Sequence, residues 1–348
     1  MRRTASGGRT GENIFPAIQA SFLWGSHAWF TGRWSELREV AHHGLALCEE
    51  FRYPLRSWTG KFVLACASAA CGEFAATRGL ADQMDQWARS RRANAVRQYA
   101  AHAKTLIALS QGDFEEAYQH VGTIAPTGSL PPFVGHALWV ILDQVEAAVR
   151  TGRREKALAH IRAARDAGLD AVSPRLNMVL LASAALAAEN DEEAVLRFSE
   201  ALAVEGPERW PFDHARIQLY YGERLRRGKA PARARHYLGA AAEIFGRLGA
   251  SPWTDRTNKE LRACGSAVRA HTRPDGATLT PQQREIACLA CQSLAAAGLS
   301  TKQIGEKLFL SPRTVSTHLY QLFPKLGVTS RAALRDALDR AVSEGSSS

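Results

Sequence analysis

The chain has few cysteines and no long apolar run, and both absences limit its class. Six cysteines spread over 348 residues do not form the disulfide framework of a small secreted domain. The longest mostly apolar stretch, residues 176–188, is shorter than the ~20 residues that cross a bilayer. The N-terminal Met-Arg-Arg is followed by Thr-Ala-Ser-Gly-Gly, not by the apolar core of a signal peptide. We therefore expect a cytoplasmic protein without a membrane partner.

Motifs of common enzymes are also missing. The string nearest to the phosphate-binding loop G-x-x-x-x-G-K-[ST] has Leu55 at the first glycine position and Phe62 at the Ser/Thr position. Neither H-E-x-x-H nor G-x-S-x-G occurs. Cys288 and Cys291 have the spacing of a redox or zinc site, but no second pair accompanies them. The sequence thus predicts a protein that is not an enzyme and needs no cofactor or metal.

Positive charge is in excess. The net charge is +10 and the pI is about 9.6, so nucleic acids and other polyanions are plausible partners. Residues 278–348 contain eight Lys/Arg against five Asp/Glu, so most of the surplus lies elsewhere. Charge alone therefore does not identify a DNA-binding face.

Residues 1–264 carry a repeated helical pattern, with apolar residues spaced by three and four. One short pattern recurs in this region: a Gly or Asn ends one helix, and an Ala soon afterwards begins the next. The Gly or Asn stands at positions 79, 112, 152, 190 and 228, with an earlier copy at 32. Spacings of 33 to 40 residues predict stacked helix pairs of the tetratricopeptide kind, and an irregular helical bundle is the alternative. The tryptophans, including Trp24, Trp29, Trp34 and Trp139, are expected in the core of this array and not in a ligand cage.

A second, smaller domain follows a linker rich in Gly, Pro and polar residues at 265–278. Capping residues predict helix starts at Thr280, Ser300 and Ser311, and a fourth near Ser330. Only two residues separate the second helix from the third, which begins at Pro312. This spacing is typical of a helix-turn-helix corner. Residues 279–342 are therefore predicted to form a four-helix domain.

The third helix of that domain has one apolar and one polar side. The apolar stripe spans roughly 60° of the helix and must pack on the other helices. Its members are Val315, Leu319, Leu322 and Leu326.

The opposite side of this helix, about 100° wide, contains Arg313, Ser316, Thr317 and Tyr320. A guanidinium group and several hydroxyl groups on one face can form hydrogen bonds with base edges and phosphate oxygens in a major groove. The free N–H groups of the helix N-terminus near Ser311 favour a further phosphate.

The segment "LTPQQREIACLA…GLSTKQIGEKLFLSPRTVSTHLYQLFPKLGVTSRAAL" resembles a LuxR-type DNA-binding domain, as found in the NarL/FixJ response regulators. The resemblance implies a recognition helix that begins at Pro312 and ends near Phe323, bound to double-stranded DNA as a dimer. It implies base contacts by Ser316, Thr317 and Tyr320, and backbone contacts around the corner. The predicted DNA-binding residues are Lys302, Ser311, Arg313, Thr314, Ser316, Thr317, His318, Tyr320 and Lys325, and the predicted dimer contacts are Ala333, Leu334 and Ala337.

The stretch "F.RLGA.PW" followed by "ELRA.G", within residues 232–265, resembles the last helical unit of the large ATP-binding LuxR regulators common in actinobacteria. This implies an array that receives a small-molecule or protein effector, and RNA polymerase as a further partner. The chain departs from the LuxR pattern by about five extra residues around 291–295. We predict an all-α regulator with a tetratricopeptide-like array and a LuxR-type domain. The alternative is a helical-repeat interaction scaffold whose DNA-binding domain is impaired by this insertion.

Overall fold

The computed structural model describes residues 14–265, and within this range the chain is helical with no strand. The chain divides into two compact units, Met1–Val268 and Arg269–Ser348, and the described residues belong to the first. The predicted helix-turn-helix domain lies outside the described residues. In the part that the structure describes, no helix combines the length and the hydropathy needed to cross a bilayer.

Fourteen α-helices follow one another through the described residues, most of them joined by tight turns. Turns of 3-10 helix occur at Gly135–Trp139 and Pro207–Arg209. In chain order the α-helices are α1 (Ile14–Phe30), α2 (Trp34–Glu50), α3 (Ser57–Cys71), α4 (Phe74–Arg91), α5 (Asn94–Gln111), α6 (Phe114–Gly122), α7 (Ile141–Arg150), α8 (Arg154–Asp166), α9 (Leu169–Val172), α10 (Pro174–Ala187), α11 (Asp191–Leu202), α12 (Pro211–Arg227), α13 (Pro231–Leu248) and α14 (Ser251–Ala263).

Two kinds of helix alternate. The central helices α3, α5, α7, α10 and α12 are buried over most of their surface. The helices between them bury one stripe, such as Ala81, Met84 and Ala88 on α4. A stripe at spacings of three and four is the pattern of a helix with one face on a core. This succession of helix pairs agrees with the predicted array, and its kinship with tetratricopeptide repeats stays a prediction.

The helix boundaries correct two of the predicted repeat positions. Gly112 and Gly152 lie in left-handed turns after helices, with φ of +80° and +76°, as predicted. Gly79, however, lies inside α4, and the preceding turn is made by Gly72 with φ of +85°. Asn190 begins a helix, because its side chain accepts a hydrogen bond from the Glu193 amide at 2.8 Å. Amide side chains serve at either end of a helix, which is why composition alone misplaced this turn.

The last helices of the array pack on the first ones. Helix α14 contacts α3 and α5, and α12 contacts α1. Trp29 stacks on Trp34 with 5.4 Å between ring centroids, and both rings lie 5.4 Å from the ring of Phe212. The Ser251 hydroxyl donates to the carbonyl oxygen of Cys71 at 2.9 Å. The prediction that Trp29 and Trp34 are core residues is confirmed, since both are buried.

Gly32 lies at this closure, and substituting it is expected to destabilise the array. Its φ is +70°, and an added Cβ would lie 2.6 Å from Cγ of Pro211 and 2.7 Å from Cδ2 of Leu248. Gly32→Ala therefore adds a steric overlap, worth about 1–3 kcal/mol in a packed core, to the ~1–2 kcal/mol cost of a left-handed alanine. The free energy of unfolding from urea titration measures the sum.

Gly152→Ala is the matched control for this prediction. Gly152 has a similar φ of +76°, but an added Cβ would meet nothing within 4 Å. It should show only the backbone cost, so equal losses in the two variants would contradict a close contact between the ends of the array.

Candidate functional site

The interior of the array contains a cluster of ion pairs contributed by helices far apart in sequence. Arg216 on α12 lies 2.7 Å from Asp143 and 3.3 Å from Glu146, both on α7. These three side chains are at most 3% exposed. Arg256 on α14 lies 2.9 Å from Glu146 and 2.9 Å from Glu223. Arg150 pairs with Glu223, and the Tyr220 hydroxyl donates to Glu146.

Burial and pairing act in opposite directions on the carboxyl groups of this cluster. Burial raises the pKa of Asp143, but the charge of Arg216 and a hydrogen bond from His102 outweigh it and hold the pKa at about 2. Glu146 follows the same pattern, because Arg256 and Arg216 lower its pKa against the effect of burial. Both groups are therefore ionised at neutral pH.

Two histidines extend the cluster toward the surface. His102 on α5 is 2% exposed, and its Nε2 lies 3.5 Å from Oδ2 of Asp143. Its Nδ1 lies 3.1 Å from Nε2 of His136, which belongs to the 3-10 turn Gly135–Trp139. Burial and the neighbouring His102 lower the pKa of His136 well below its usual value. His136 is consequently neutral at physiological pH.

The ionised Asp143 constrains where the protons lie on His102 and His136. Ionised Asp143 only accepts hydrogen bonds, so His102 carries a proton on Nε2, and in neutral His102 the other nitrogen, Nδ1, is then an acceptor. His136 then donates from Nε2, and its Nδ1 is left as an acceptor. Among the described residues no partner contacts that atom.

His136 lines a pocket of about 470 Å³ beside this cluster. Helices α1, α3 and α5 form its walls together with residues 133–139, and none of its lining side chains within the described residues is charged. Trp139 is part of this lining and only partly buried. The expectation that the tryptophans lie in the core is therefore incomplete for Trp139. The lining residues are Ser26, Thr59, Phe62, Asn94, Ala95, Gln98, Tyr99, Phe133, Val134, Gly135, His136 and Trp139.

The thiols of the array are poor nucleophiles. Burial raises the pKa of Cys48 to about 11, despite the opposing charge of Arg56, and it also raises the pKa of Cys66 and Cys71. A thiol with a raised pKa carries little thiolate at neutral pH. Within residues 14–265 no three His, Cys, Asp or Glu side chains are grouped so that they could hold a metal ion.

Sequence reasoning placed its candidate site elsewhere and missed this one. All nine predicted DNA-binding residues, the three predicted dimer contacts, Cys288 and Cys291 lie outside the described residues. His102 and His136 are 34 positions apart, and Arg216 lies 73 positions beyond Asp143. One signal was available, because Asp143 and Glu146 lie on a helix whose remaining residues are mostly apolar, and buried carboxylates require partners.

Comparison with known proteins identifies the class of the C-terminal domain. Residues 277–337 match the family described as bacterial regulatory proteins, luxR family. The domain that the sequence predicted at this place is thus a helix-turn-helix domain. More narrowly, it is a LuxR-type domain, and the residues that the structure describes before it are helical.

Curated relatives with this domain occur in mycobacteria. A protein of Mycobacterium bovis and one of Mycobacterium tuberculosis, each provisionally named an HTH-type transcriptional regulator, are 44% identical to this chain over 63 residues. That segment is 18% of this chain and 7% of each relative. The matched segment therefore covers only a small part of this chain and of these relatives.

Proposed function

We propose that the protein is a sequence-specific transcriptional regulator that binds double-stranded DNA as a dimer. The LuxR-type domain at residues 277–337 supports this function most directly. The recognition helix begins at Pro312 and ends near Phe323, and it enters the major groove with Ser316, Thr317 and Tyr320 toward the bases. The predicted fourth helix of this domain, which starts near Ser330, supplies the dimer contact through Ala333, Leu334 and Ala337.

Contacts to the DNA backbone set the register of the domain. Lys302, Arg313 and Lys325 neutralise phosphates, and Thr314 and Ser311 bind phosphate oxygens at the start of the recognition helix. His318 lies at the edge of this helix. The helical array acts as the sensor or partner platform, with an effector bound there and RNA polymerase as the partner at the promoter.

Footprinting tests this function directly. The purified full chain is incubated with the upstream region of its own gene and with a scrambled fragment of equal length and composition. A regulator protects a paired site in the first fragment only. Protection of both fragments to the same extent, or of neither, would contradict the proposal.

A variant lacking residues 291–295 distinguishes the proposed regulator from the alternative, a scaffold whose DNA-binding domain is impaired by the insertion. If the insertion blocks DNA binding and the chain acts as a scaffold, the full chain gives no footprint and the deletion restores it. If the full chain already protects its site and the deletion increases this protection little, the insertion does not impair the recognition helix. This is the result expected if the five extra residues form a loop directed away from the DNA.

Thr317→Ala and Tyr320→Ala are expected to reduce sequence discrimination. Each removes a side chain predicted to reach base edges, so the gap in binding free energy between the specific site and a mismatched site should shrink by about 1–3 kcal/mol. Competition gel shifts with both sites measure this gap. Arg340→Ala is the control, because Arg340 lies in the same domain but outside the predicted interface. A gap that is unchanged in Thr317→Ala and Tyr320→Ala would refute the assigned reading face.

A further inference from the structure

We propose that the pocket lined by His136 binds an uncharged, flat aromatic molecule that carries a hydrogen-bond donor. The pocket is a feature of the helical array, so the proposal does not rest on the DNA-binding function.

The size and charge of the pocket define the first part of this ligand class. A volume of about 470 Å³ is within the ~300–1,000 Å³ of small-molecule sites. A charged ligand buried here would need a counter-charge, and the lining supplied by the described residues has none. Asp143, which contacts His102, does not line the pocket and is already paired with Arg216. The occupant is therefore uncharged.

The walls of the pocket favour a flat ring. Phe62 and Tyr99 are stacked with 4.5 Å between centroids and 16° between ring planes. His136 and Trp139 form a second stack with 25° between planes. The two stacks meet nearly at right angles, with 76° between Phe62 and His136. A planar ligand in such a corner can face one stack and present its edge to the other, the two geometries that aromatic rings prefer.

His136 determines the polar requirement. Its Nε2 lies 3.1 Å from Nδ1 of His102 and is the donor of that contact when His102 is neutral, with its one proton directed to Asp143. The remaining Nδ1 is an acceptor without a protein partner among the described residues, so the complementary group on the ligand is an N–H or O–H donor. A saccharide fits less well, because each of its many hydroxyls would need a hydrogen-bonding partner, whereas the stacked rings of the pocket offer flat apolar faces.

Phe133 is placed to cover a ligand in this pocket. It belongs to the lining, yet its side chain is fully exposed, and its backbone has φ of +65°. An exposed phenyl group in a left-handed backbone conformation is unfavourable on both counts. Contact with an aromatic ligand would remove the ring from water and recover part of this cost.

Indole and 1-methylindole form a matched pair of probes, because they differ only in the N–H donor. Calorimetric titration of the full chain, without DNA, should give saturable binding of indole. Binding of 1-methylindole should be weaker by about 3–10-fold, the value of one hydrogen bond. Indole-3-carboxylate should bind more weakly than indole because it is charged. Absence of saturable indole binding, or equal affinity for indole and 1-methylindole, would overturn the proposal, as would binding of glucose or maltose in place of indole.

Three variants locate the binding in the pocket. His136→Phe keeps a ring but removes the acceptor, so it should abolish the preference for indole over 1-methylindole. Phe133→Ala alters an exposed side chain, leaves the fold intact, and should weaken the binding of both probes. Leu196→Ala changes another exposed apolar residue that does not line the pocket and should leave affinity unchanged. An undiminished preference for indole in His136→Phe, or unchanged affinity in Phe133→Ala, would refute the assigned site. Because the assay contains no DNA, its failure would leave the proposed regulatory function untouched.

Discussion

Raising the salt concentration from about 50 to about 200 mM is expected to weaken binding to the specific promoter site by roughly a thousand-fold. The predicted interface has three cations per domain, Lys302, Arg313 and Lys325, and therefore six in a dimer. Each neutralised phosphate releases counterions, so the log–log plot of affinity against salt should have a slope of about −5. A monomer would give a slope of about −3 and a loss of only roughly 40-fold over the same range.

Charge variants connect this slope to named residues. Lys325→Ala should reduce the magnitude of the slope by about 2 in a dimer, one unit for each half-site, and Arg340→Ala should leave it unchanged. Fluorescence anisotropy with a labelled promoter fragment gives the slopes directly. A slope that does not respond to Lys325→Ala would contradict the predicted phosphate contact, and a slope near −3 in the unaltered chain would contradict dimeric binding.

Replacing Arg216 with methionine is expected to reduce the free energy of unfolding by about 3–5 kcal/mol, the usual cost of breaking a buried ion pair. Methionine leaves Asp143 without an arginine partner and takes one of two arginines from Glu146, and both carboxylates are at most 1% exposed. Arg197→Met is the matched control. Its partner Glu200 is three positions away on the surface of α11, so the control should lose no more than about 0.5 kcal/mol. Urea titrations of both variants measure the difference.

A triple variant separates lost packing from unpaired charge. Asp143→Asn and Glu146→Gln in the Arg216→Met background neutralise the two carboxylates that have lost this cation. This variant should recover much of the stability, because neutral substitutes for a buried ion pair are often well tolerated. If Arg216→Met and the triple variant are equally unstable, the loss comes from packing around Arg216 and not from electrostatics.

Acid unfolding provides a second readout of the same cluster. The pKa of Asp143 is about 2 in the folded chain and ~3.9 in an unfolded one. Because the folded pKa is the lower one, ionised Asp143 stabilises the fold above pH ~3.9, and this contribution is lost as the pH falls toward 2. Removing Arg216 removes the cation that lowers this pKa. Acid unfolding followed by circular dichroism should therefore begin at a higher pH in Arg216→Met than in the unaltered chain.

The extent of prediction from sequence differs between the two parts of the chain. The motifs "LTP", "LFLSPRTV" and "KLGV" were sufficient to recognise a LuxR-type domain, and the family match at 277–337 bears this recognition out. The predicted bounds of the domain, 279–342, stay a prediction. Such motifs are local, because capping and helix-turn-helix geometry depend on residues a few positions apart. The DNA-contact residues within this domain stay predictions.

Helical structure in the array was also readable, since apolar spacings of three and four report which face of a helix is buried. The positions of individual turns did not follow from these spacings, as Gly79 and Asn190 demonstrate. A glycine in sequence is compatible with a helix interior as well as with a left-handed turn, and the neighbouring packing decides between them.

What the sequence by itself determined is the all-helical class, the array of helix pairs and the LuxR-type domain, because each depends on periodicity or on short-range spacing. Only the tertiary structure decided that α12 and α14 return to the first helices. It also decided that Arg216 of α12 lies between Asp143 and Glu146 of α7, and that His136 lies against His102 of α5 beside an aromatic pocket. These contacts join residues from 34 to 73 positions apart, and their pairing depends on how whole helices pack. No local pattern encodes which buried charge meets which partner.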